Sequence, residues 1–126
     1  MPYANAEFSL QLFSPPYLFN PDGSPATRPI ISYAPPAIHY TQAFTVETPD
    51  ASAIVRGTPI RTSSVTHAFN QSQLLYPLEF EVTGTTTLTV KNPPTSGAVA
   101  PPGPYMLFLI NGAGVPSPAK FVTVGQ

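Results

Sequence analysis

The 18 prolines of this 126-residue chain lie between segments in which apolar and polar residues alternate. Proline cannot donate a hydrogen bond to the ladder of a sheet or to the interior of a helix, so each proline cluster ends a regular element. No window of helical length shows a helical apolar repeat, whereas several short segments alternate with the two-residue period of a half-buried strand. The pattern therefore predicts an all-β fold with proline-rich loops, in a single domain that spans residues 1–126.

The alternating segments predict about seven to nine short strands, and turn signals at this spacing are typical of an immunoglobulin-like β-sandwich. Two of these segments, 76–82 and 86–90, flank the turn residues Thr83-Gly84 and are expected to form a hairpin. Residues 61–66 lead into a polar loop that contains a histidine. The other predicted strands are residues 7–12, 28–33, 43–47, 53–56, 105–110 and 120–124.

The composition excludes several classes of function. The net charge is −1 and the five basic residues are scattered, so there is no electrostatic footprint for nucleic acid or for anionic lipid. No apolar run approaches the ~20 residues of a transmembrane helix, and the first residues lack the basic start and apolar core of a signal peptide. The absence of cysteine excludes disulfides and thiolate metal sites.

His67 is the main candidate for a metal ligand. It lies in the polar loop Ser63–Asn70, just before a strongly patterned strand, and neutral imidazole binds copper and zinc well. From position alone, a surface histidine that hydrogen-bonds to its own turn is the more common structure. A site closed by His39 and His67 would still lack the three or four ligands that a copper centre generally needs.

Two other features have a structural interpretation as well as a functional one. Glu79 and Glu81 could suggest a pair of glycosidase carboxylates, but at a spacing of two they share one face of a strand, which favours a solvated surface. Asn70-Gln71-Ser72 fits an N-glycosylation sequon, and a glycan three residues from His67 would obstruct insertion of this loop into a channel.

Several motifs occur in the order found in one known family. They are Leu12-Phe13-Ser14-Pro15-Pro16-Tyr17-Leu18-Phe19 with Arg28-Pro29, then Val65-Thr66-His67-Ala68-Phe69-Asn70, then Ala100-Pro101-Pro102-Gly103 with Tyr105-Met106-Leu107-Phe108, and finally Gly114-Val115-Pro116-Ser117. Together they cover nearly the whole chain. The chain resembles the C-terminal early-set, immunoglobulin-like domain of galactose oxidase and glyoxal oxidase, the copper radical oxidases.

The resemblance implies a role inside a larger, extracellular enzyme. In that family this domain follows a seven-bladed kelch propeller, and its hairpin reaches into the propeller channel and donates one histidine, here His67, to copper. The propeller supplies two tyrosines and another histidine, and one tyrosine is cross-linked to a cysteine and carries the radical that oxidises primary alcohols or aldehydes while O₂ becomes H₂O₂. This chain has no cysteine, so we expect copper only in the full-length oxidase and no catalysis by the chain alone.

The chain departs from the family pattern in two places. The family continues its histidine loop with Asp-Gln-Arg, where this chain has Ser72-Gln73-Leu74, and Pro104 replaces a tyrosine of the Pro-Gly-Tyr-Tyr-Met-Leu motif.

If the chain serves a propeller, the surface around residues 65–74 should be unusually apolar. The alternative is a self-sufficient binding or structural module that has lost the copper role. Such a module could bind carbohydrate by stacking loop aromatics on sugar rings, although the same side chains could simply anchor the proline-rich loops: Tyr17, Phe19, Tyr33, Tyr40 and Tyr105.

Overall fold

The computed structural model describes Ser9 and residues 11–125, and in this part the chain consists of short strands joined by irregular loops. The helical elements within it are two single 3-10 turns, Pro16–Leu18 and Ala51–Ala53. Among the described residues, no helix is long and apolar enough to cross a membrane. The strands are β1 (Ala37–Ile38), β2 (Phe44–Glu47), β3 (Ile54–Arg61), β4 (Ser64–Thr66), β5 (Phe69–Gln71), β6 (Phe80–Val82), β7 (Thr87–Val90), β8 (Gly103–Asn111) and β9 (Lys120–Val124).

The strands form two sheets and a separate two-stranded ribbon. The first sheet has the order β1–β9–β8–β3, in which β1 is parallel to β9 and the other pairs are antiparallel. The second sheet has the antiparallel order β2–β7–β6. The hairpin predicted from residues 76–82 and 86–90 is present in a shorter form, because its first strand begins only at Phe80, with Phe80 opposite Val90 and Val82 opposite Leu88. The ribbon β4–β5 carries the histidine loop.

The two sheets enclose one hydrophobic core, as expected for an immunoglobulin-like sandwich. Alternate residues of β8 point inward, which explains why Tyr105, Leu107 and Leu109 are buried while the residues between them are only partly covered. The all-β sandwich predicted from the alternation is therefore confirmed. The other buried apolar strand residues of this cluster are Ile38, Val46, Ile54, Leu88, Val90, Val122 and Val124.

Residues 75–78 carry the chain from the first sheet to the second. The Leu78 N–H donates to the Gly57 carbonyl at 2.9 Å and the Tyr76 N–H to the Pro59 carbonyl at 3.0 Å, so this segment covers the outer edge of β3. A Cβ at position 57 would lie 3.3 Å from the Cβ of Leu78, which is tighter than ordinary packing. Glycine therefore permits the close approach of the crossing segment.

Pro59 lies in the middle of β3, where sequence patterning predicts the end of a strand. The carbonyl of Pro59 faces the crossing segment, and the N and O atoms of one strand residue point to the same side. The missing N–H is therefore on the side away from β8, and the β3–β8 ladder continues past it, with Pro59 opposite Leu107. For this reason β3 extends to Arg61 and not only to residue 56.

Two predicted strands have different outcomes. The strand predicted at residues 7–12 falls mostly on residues outside the described part of the chain. The strand predicted at residues 28–33 is absent, because only Tyr33 forms a bridge, to Glu47 of β2. Pro29, Pro35 and Pro36 provide no N–H donors around this bridge, so a longer ladder cannot form.

Arg28 joins two of the sequence motifs. Its guanidinium donates to the Pro116 carbonyl at 2.8 Å through Nε and to the Ser117 carbonyl at 2.7 Å through Nη2. Ser117 is fully buried, and its hydroxyl in turn accepts the Leu109 N–H at 3.0 Å. The Arg-Pro and Gly-Val-Pro-Ser motifs are therefore two halves of one clamp between the N-terminal segment and the loop that follows β8.

We expect Arg28→Met to lower the free energy of unfolding by about 2–3 kcal/mol, because two carbonyls lose a charged donor. Chemical denaturation of the chain measures this. Arg28→Lys should cost less, because the ammonium can reach one of the carbonyls. Arg56→Met, at an exposed arginine of β3, is the matched control and should stay within about 0.5 kcal/mol of the wild type. Equal losses at Arg28 and Arg56 would contradict the clamp.

Candidate functional site

The ribbon β4–β5 places His67 at its tip. Thr66 and Phe69 are the last paired residues, so His67 and Ala68 alone form the turn. Both have positive φ angles, 51° and 67°, which are typical of the type I′ turn that matches the twist of a two-residue hairpin. Ala68 adopts this left-handed conformation without the freedom of glycine, at a cost of about 1–2 kcal/mol. This strain lies at the residue that directly follows the candidate ligand.

The imidazole of His67 is exposed, and one of its two nitrogens is engaged. Nδ1 lies 2.7 Å from the hydroxyl oxygen of Thr66, the preceding residue. Because Nδ1 has this partner, Nε2 is the nitrogen left to bind an external group. The contact was not evident from the sequence, where Thr66 is one more polar residue of the loop.

Both faces of the ribbon expose an apolar side chain. Val65 is 74% exposed and Phe69 is 70% exposed. Thr66 lies opposite Phe69, and Val65 lies opposite Asn70, so the two apolar side chains point to opposite faces of the ribbon. The ribbon thus exposes one apolar side chain on each face, among polar residues, and not the single continuous apolar surface predicted around residues 65–74.

Polar contacts at the base of the ribbon hold β5 to its surroundings. The Asn70 amide donates to Gln73 Oε1 at 3.1 Å, and the Ser63 hydroxyl donates to Asn70 Oδ1. Arg61 Nη1 lies 3.4 Å from the Ser72 carbonyl. The sequon asparagine is thus part of the hairpin's own hydrogen bonding.

Leu74 stands where the resemblance implies an arginine, and its environment is apolar. It is partly buried and packs against the hydrophobic core, so this position joins the ribbon to the sandwich through burial. Arg61 lies beside this position, since its N–H donates to the Leu74 carbonyl at 2.7 Å, and its Nη2 lies 3.4 Å from the carbonyl of Pro102 in the Ala-Pro-Pro-Gly loop.

An open groove of about 370 Å³ lies on the outer face of the first sheet. It is mainly apolar, and Thr58 and Arg56 of β3 are its polar members. Leu75, which is exposed and forms a bridge with Ile60, connects the groove to the residues that follow the ribbon. The remaining lining residues are Tyr17, Pro77, Phe108, Ile110, Gly114 and Pro116.

The described residues contain no group of three or more His, Cys, Asp or Glu side chains arranged to hold a metal ion. His39 is exposed just after β1 and lines a second hollow with Gly103 and Thr123, in which no ribbon residue takes part. Within this part of the chain, His67 is thus a single candidate ligand without the rest of a site.

Four of the remaining candidates, Glu79, Glu81, Tyr40 and Tyr105, have structural explanations, whereas three of the loop aromatics do not. Glu79 and Glu81 are both exposed, and Glu81 forms an ion pair with Lys91 at 2.6 Å, as expected for a solvated face. The Tyr40 and Tyr105 hydroxyls donate to the Ala100 and Pro101 carbonyls, both at 2.8 Å. Burial raises the pKa of the Tyr105 phenol, so it stays a protonated donor to the proline-rich loop. Tyr17, Phe19 and Tyr33 are exposed.

The sandwich with its protruding histidine ribbon defines an early-set type of domain, and the comparisons agree with this. Residues 28–124 match the model of the family "Galactose oxidase-like, Early set domain". The chain therefore belongs to this family, as its motifs predict.

The similar proteins are larger oxidases. The chain is 38% identical over 120 residues to a galactose oxidase of Gibberella zeae and 32% identical over 123 residues to the aldehyde oxidase GLOX of Vitis pseudoreticulata. The aligned regions span 94% and 92% of this chain but only 17% and 23% of the length of these two relatives. A fungal alcohol oxidase of the AA5 family, solved in complex with copper, superposes with a TM-score of 0.80 at 40% identity, over 90% of this chain and 24% of that one.

Proposed function

We propose that this chain is the accessory domain of a copper radical oxidase, which packs on a kelch propeller and donates His67 to the copper. The ribbon carries this proposal, because it places an exposed imidazole at a strained two-residue turn. Membership of the galactose oxidase-like family supports it, since the similar proteins are oxidases in which such a domain is a minor part of the chain. An extracellular location, as part of a longer parent, belongs to the same proposal.

Each face of the ribbon exposes one apolar side chain, which supports insertion of the ribbon into a channel over contact with a flat surface. A ribbon that lies on a partner needs one apolar face, whereas a ribbon inside a channel is covered on both. Val65 and Phe69 meet the second requirement. Single exposed apolar residues are common on protein surfaces, so this pair supports a surrounding partner only because it lies on opposite faces of the ribbon that carries the candidate ligand.

His67 fits copper as one ligand of several. Imidazole nitrogen is a good ligand for copper, and this imidazole is exposed with Nε2 pointing to no other group among the described residues. Copper, when bound, would supply the redox chemistry that oxidises a primary alcohol or aldehyde and reduces O₂ to H₂O₂. The chain itself would hold one nitrogen at the tip of the ribbon and close one side of the propeller.

A chimera tests this proposal directly. The early-set domain of the Gibberella zeae galactose oxidase would be replaced by this chain, to which it is 38% identical. We expect the purified chimera to bind about one copper per molecule and to release H₂O₂ in the presence of a primary alcohol. The isolated chain with added copper should release none, because it has no cysteine for the tyrosine cross-link.

Two results would contradict the proposal. One is a folded chimera, with the melting behaviour of a single cooperative unit, that binds no copper. The other is H₂O₂ production by the isolated chain, which would mean that this domain contains a redox centre of its own.

Carbohydrate binding by a stand-alone module is the second candidate, and the exposed Tyr17 beside the groove supports it. A tyrosine ring at the rim of an apolar groove, near Arg56 and Thr58, is suited to stack on a sugar ring. Titration of the chain with plant and fungal polysaccharides tests this, with Tyr17→Ala as the variant. Absence of detectable binding in the wild type would eliminate this candidate.

A further inference from the structure

The contact between Thr66 and His67 bears on which nitrogen of the ring is protonated. A neutral imidazole carries one N–H, and in water the proton prefers Nε2. In that tautomer the outward nitrogen is a donor and cannot bind a metal. His67 can therefore bind a metal through Nε2 only when the ring proton is on Nδ1, the nitrogen that lies 2.7 Å from the Thr66 hydroxyl.

We propose that Thr66 is a positioning residue, whose hydroxyl oxygen accepts the Nδ1–H of His67 and leaves the Nε2 lone pair free for copper. The effect of Thr66 on the His67 tautomer does not require a metal. The value of that tautomer for copper binding rests on the proposed function. Metal-bound histidines commonly donate their second N–H to an oxygen in this way, which fixes the tautomer and the ring orientation. Here the oxygen comes from the neighbouring residue.

The ribbon holds the hydroxyl in a defined place. Thr66 is paired with Phe69 at the last rung before the turn, and its β-branched side chain has few χ1 states. The backbone of His67 is fixed at a φ of 51° by the two-residue loop. The hydroxyl has no other hydrogen-bond partner in the described part of the chain, so its lone pairs are available to the ring.

The tautomer can be measured without metal. Long-range ¹H–¹⁵N spectra of the labelled chain at about pH 8.5, where imidazoles are normally neutral, distinguish the two forms of each histidine. We expect His67 to be mainly protonated at Nδ1. His39, whose ring has no hydrogen-bond partner among the described residues, is the internal reference and should be mainly protonated at Nε2.

Two variants identify the cause. Thr66→Val keeps the β-branched shape and removes the hydroxyl, so the His67 tautomer should shift to Nε2–H. Thr66→Ser restores the hydroxyl and should restore the Nδ1–H form. In the chimera, Thr66→Val should weaken copper binding by about 10–100-fold, and Thr66→Ser should recover most of this loss.

The proposal is overturned if His67 of the wild-type chain is protonated at Nε2, or if Thr66→Val leaves its tautomer unchanged. These results come from the metal-free chain, so they do not depend on whether His67 binds copper. Conversely, if the chimera binds no copper although the spectra show Nδ1–H, the proposed function fails while the role of Thr66 in setting the tautomer remains.

Discussion

Replacing His67 with alanine in the chimera should lower its copper affinity by more than about 100-fold and abolish H₂O₂ release. Loss of a residue that only supports a ligand typically costs 10–100-fold in metal affinity, so loss of the ligand itself should exceed this range. Copper content after dialysis and H₂O₂ production with a primary alcohol measure the two effects. The ribbon should stay folded, because His67 is exposed and its side chain bonds only to Thr66 within the described residues.

The matched control is His39→Ala, the same substitution at the other histidine of the chain. His39 is exposed just after β1, which belongs to the first sheet and not to the ribbon, and its loss should leave the copper content and activity of the chimera unchanged. A His67→Ala chimera that retains copper and activity would show that the ribbon does not provide a ligand.

Replacing Val65 and Phe69 together with threonine should disrupt the assembly of the chimera without weakening the isolated chain. Both side chains are exposed in this structure, so neither stabilises the free domain, and threonine preserves strand propensity. If a channel covers both, the variant loses about 3–6 kcal/mol of apolar burial. Hydrogen exchange of the ribbon amides and copper retention measure the effect, which corresponds to roughly 10²–10⁴-fold in the docking equilibrium.

Val55→Thr with Phe121→Thr is the control for this pair. These residues lie on β3 and β9 and are 65% and 70% exposed, so the chemistry and the exposure are matched while the ribbon is untouched. We expect this second variant to behave as the wild-type chimera. Equal losses in both variants would mean that the apolar character of the ribbon has no special role in docking.

Much of the fold follows from local patterning in the sequence. The alternation at residues 43–47, 86–90 and 120–124 predicts β2, β7 and β9 to within one residue, because each strand has one face on the core. The strand predicted at 28–33 was wrong. Only Tyr33 bridges to β2, and the prolines on either side of it provide no N–H donors for a longer ladder. The extension of β3 past Pro59 was also missed. A strand can continue past a proline when the missing N–H faces away from the paired strand, and the sequence does not show which strand is paired.

The candidate site was predicted less completely. The motif around His67 indicated the residue and the hairpin, but the type I′ geometry has no sequence signal here, because this turn usually contains Asn-Gly and not His-Ala. The link between Arg28 and the Pro116–Ser117 loop is also invisible in the sequence, where the two motifs are nearly ninety residues apart. The role of His67 as a copper ligand stays a prediction.

The free edges of the ribbon have a consequence for how a parent enzyme matures. Within the described residues, β4 and β5 pair only with each other, so each strand leaves one edge of unpaired N–H and C=O groups beside an exposed Val65 or Phe69. Such edges readily recruit strands from other chains. In the proposed assembly, insertion of the ribbon into a propeller would cover these unpaired edges in the same step that brings the His67 imidazole to the copper. Maturation of the metal centre and protection from aggregation would then be one event.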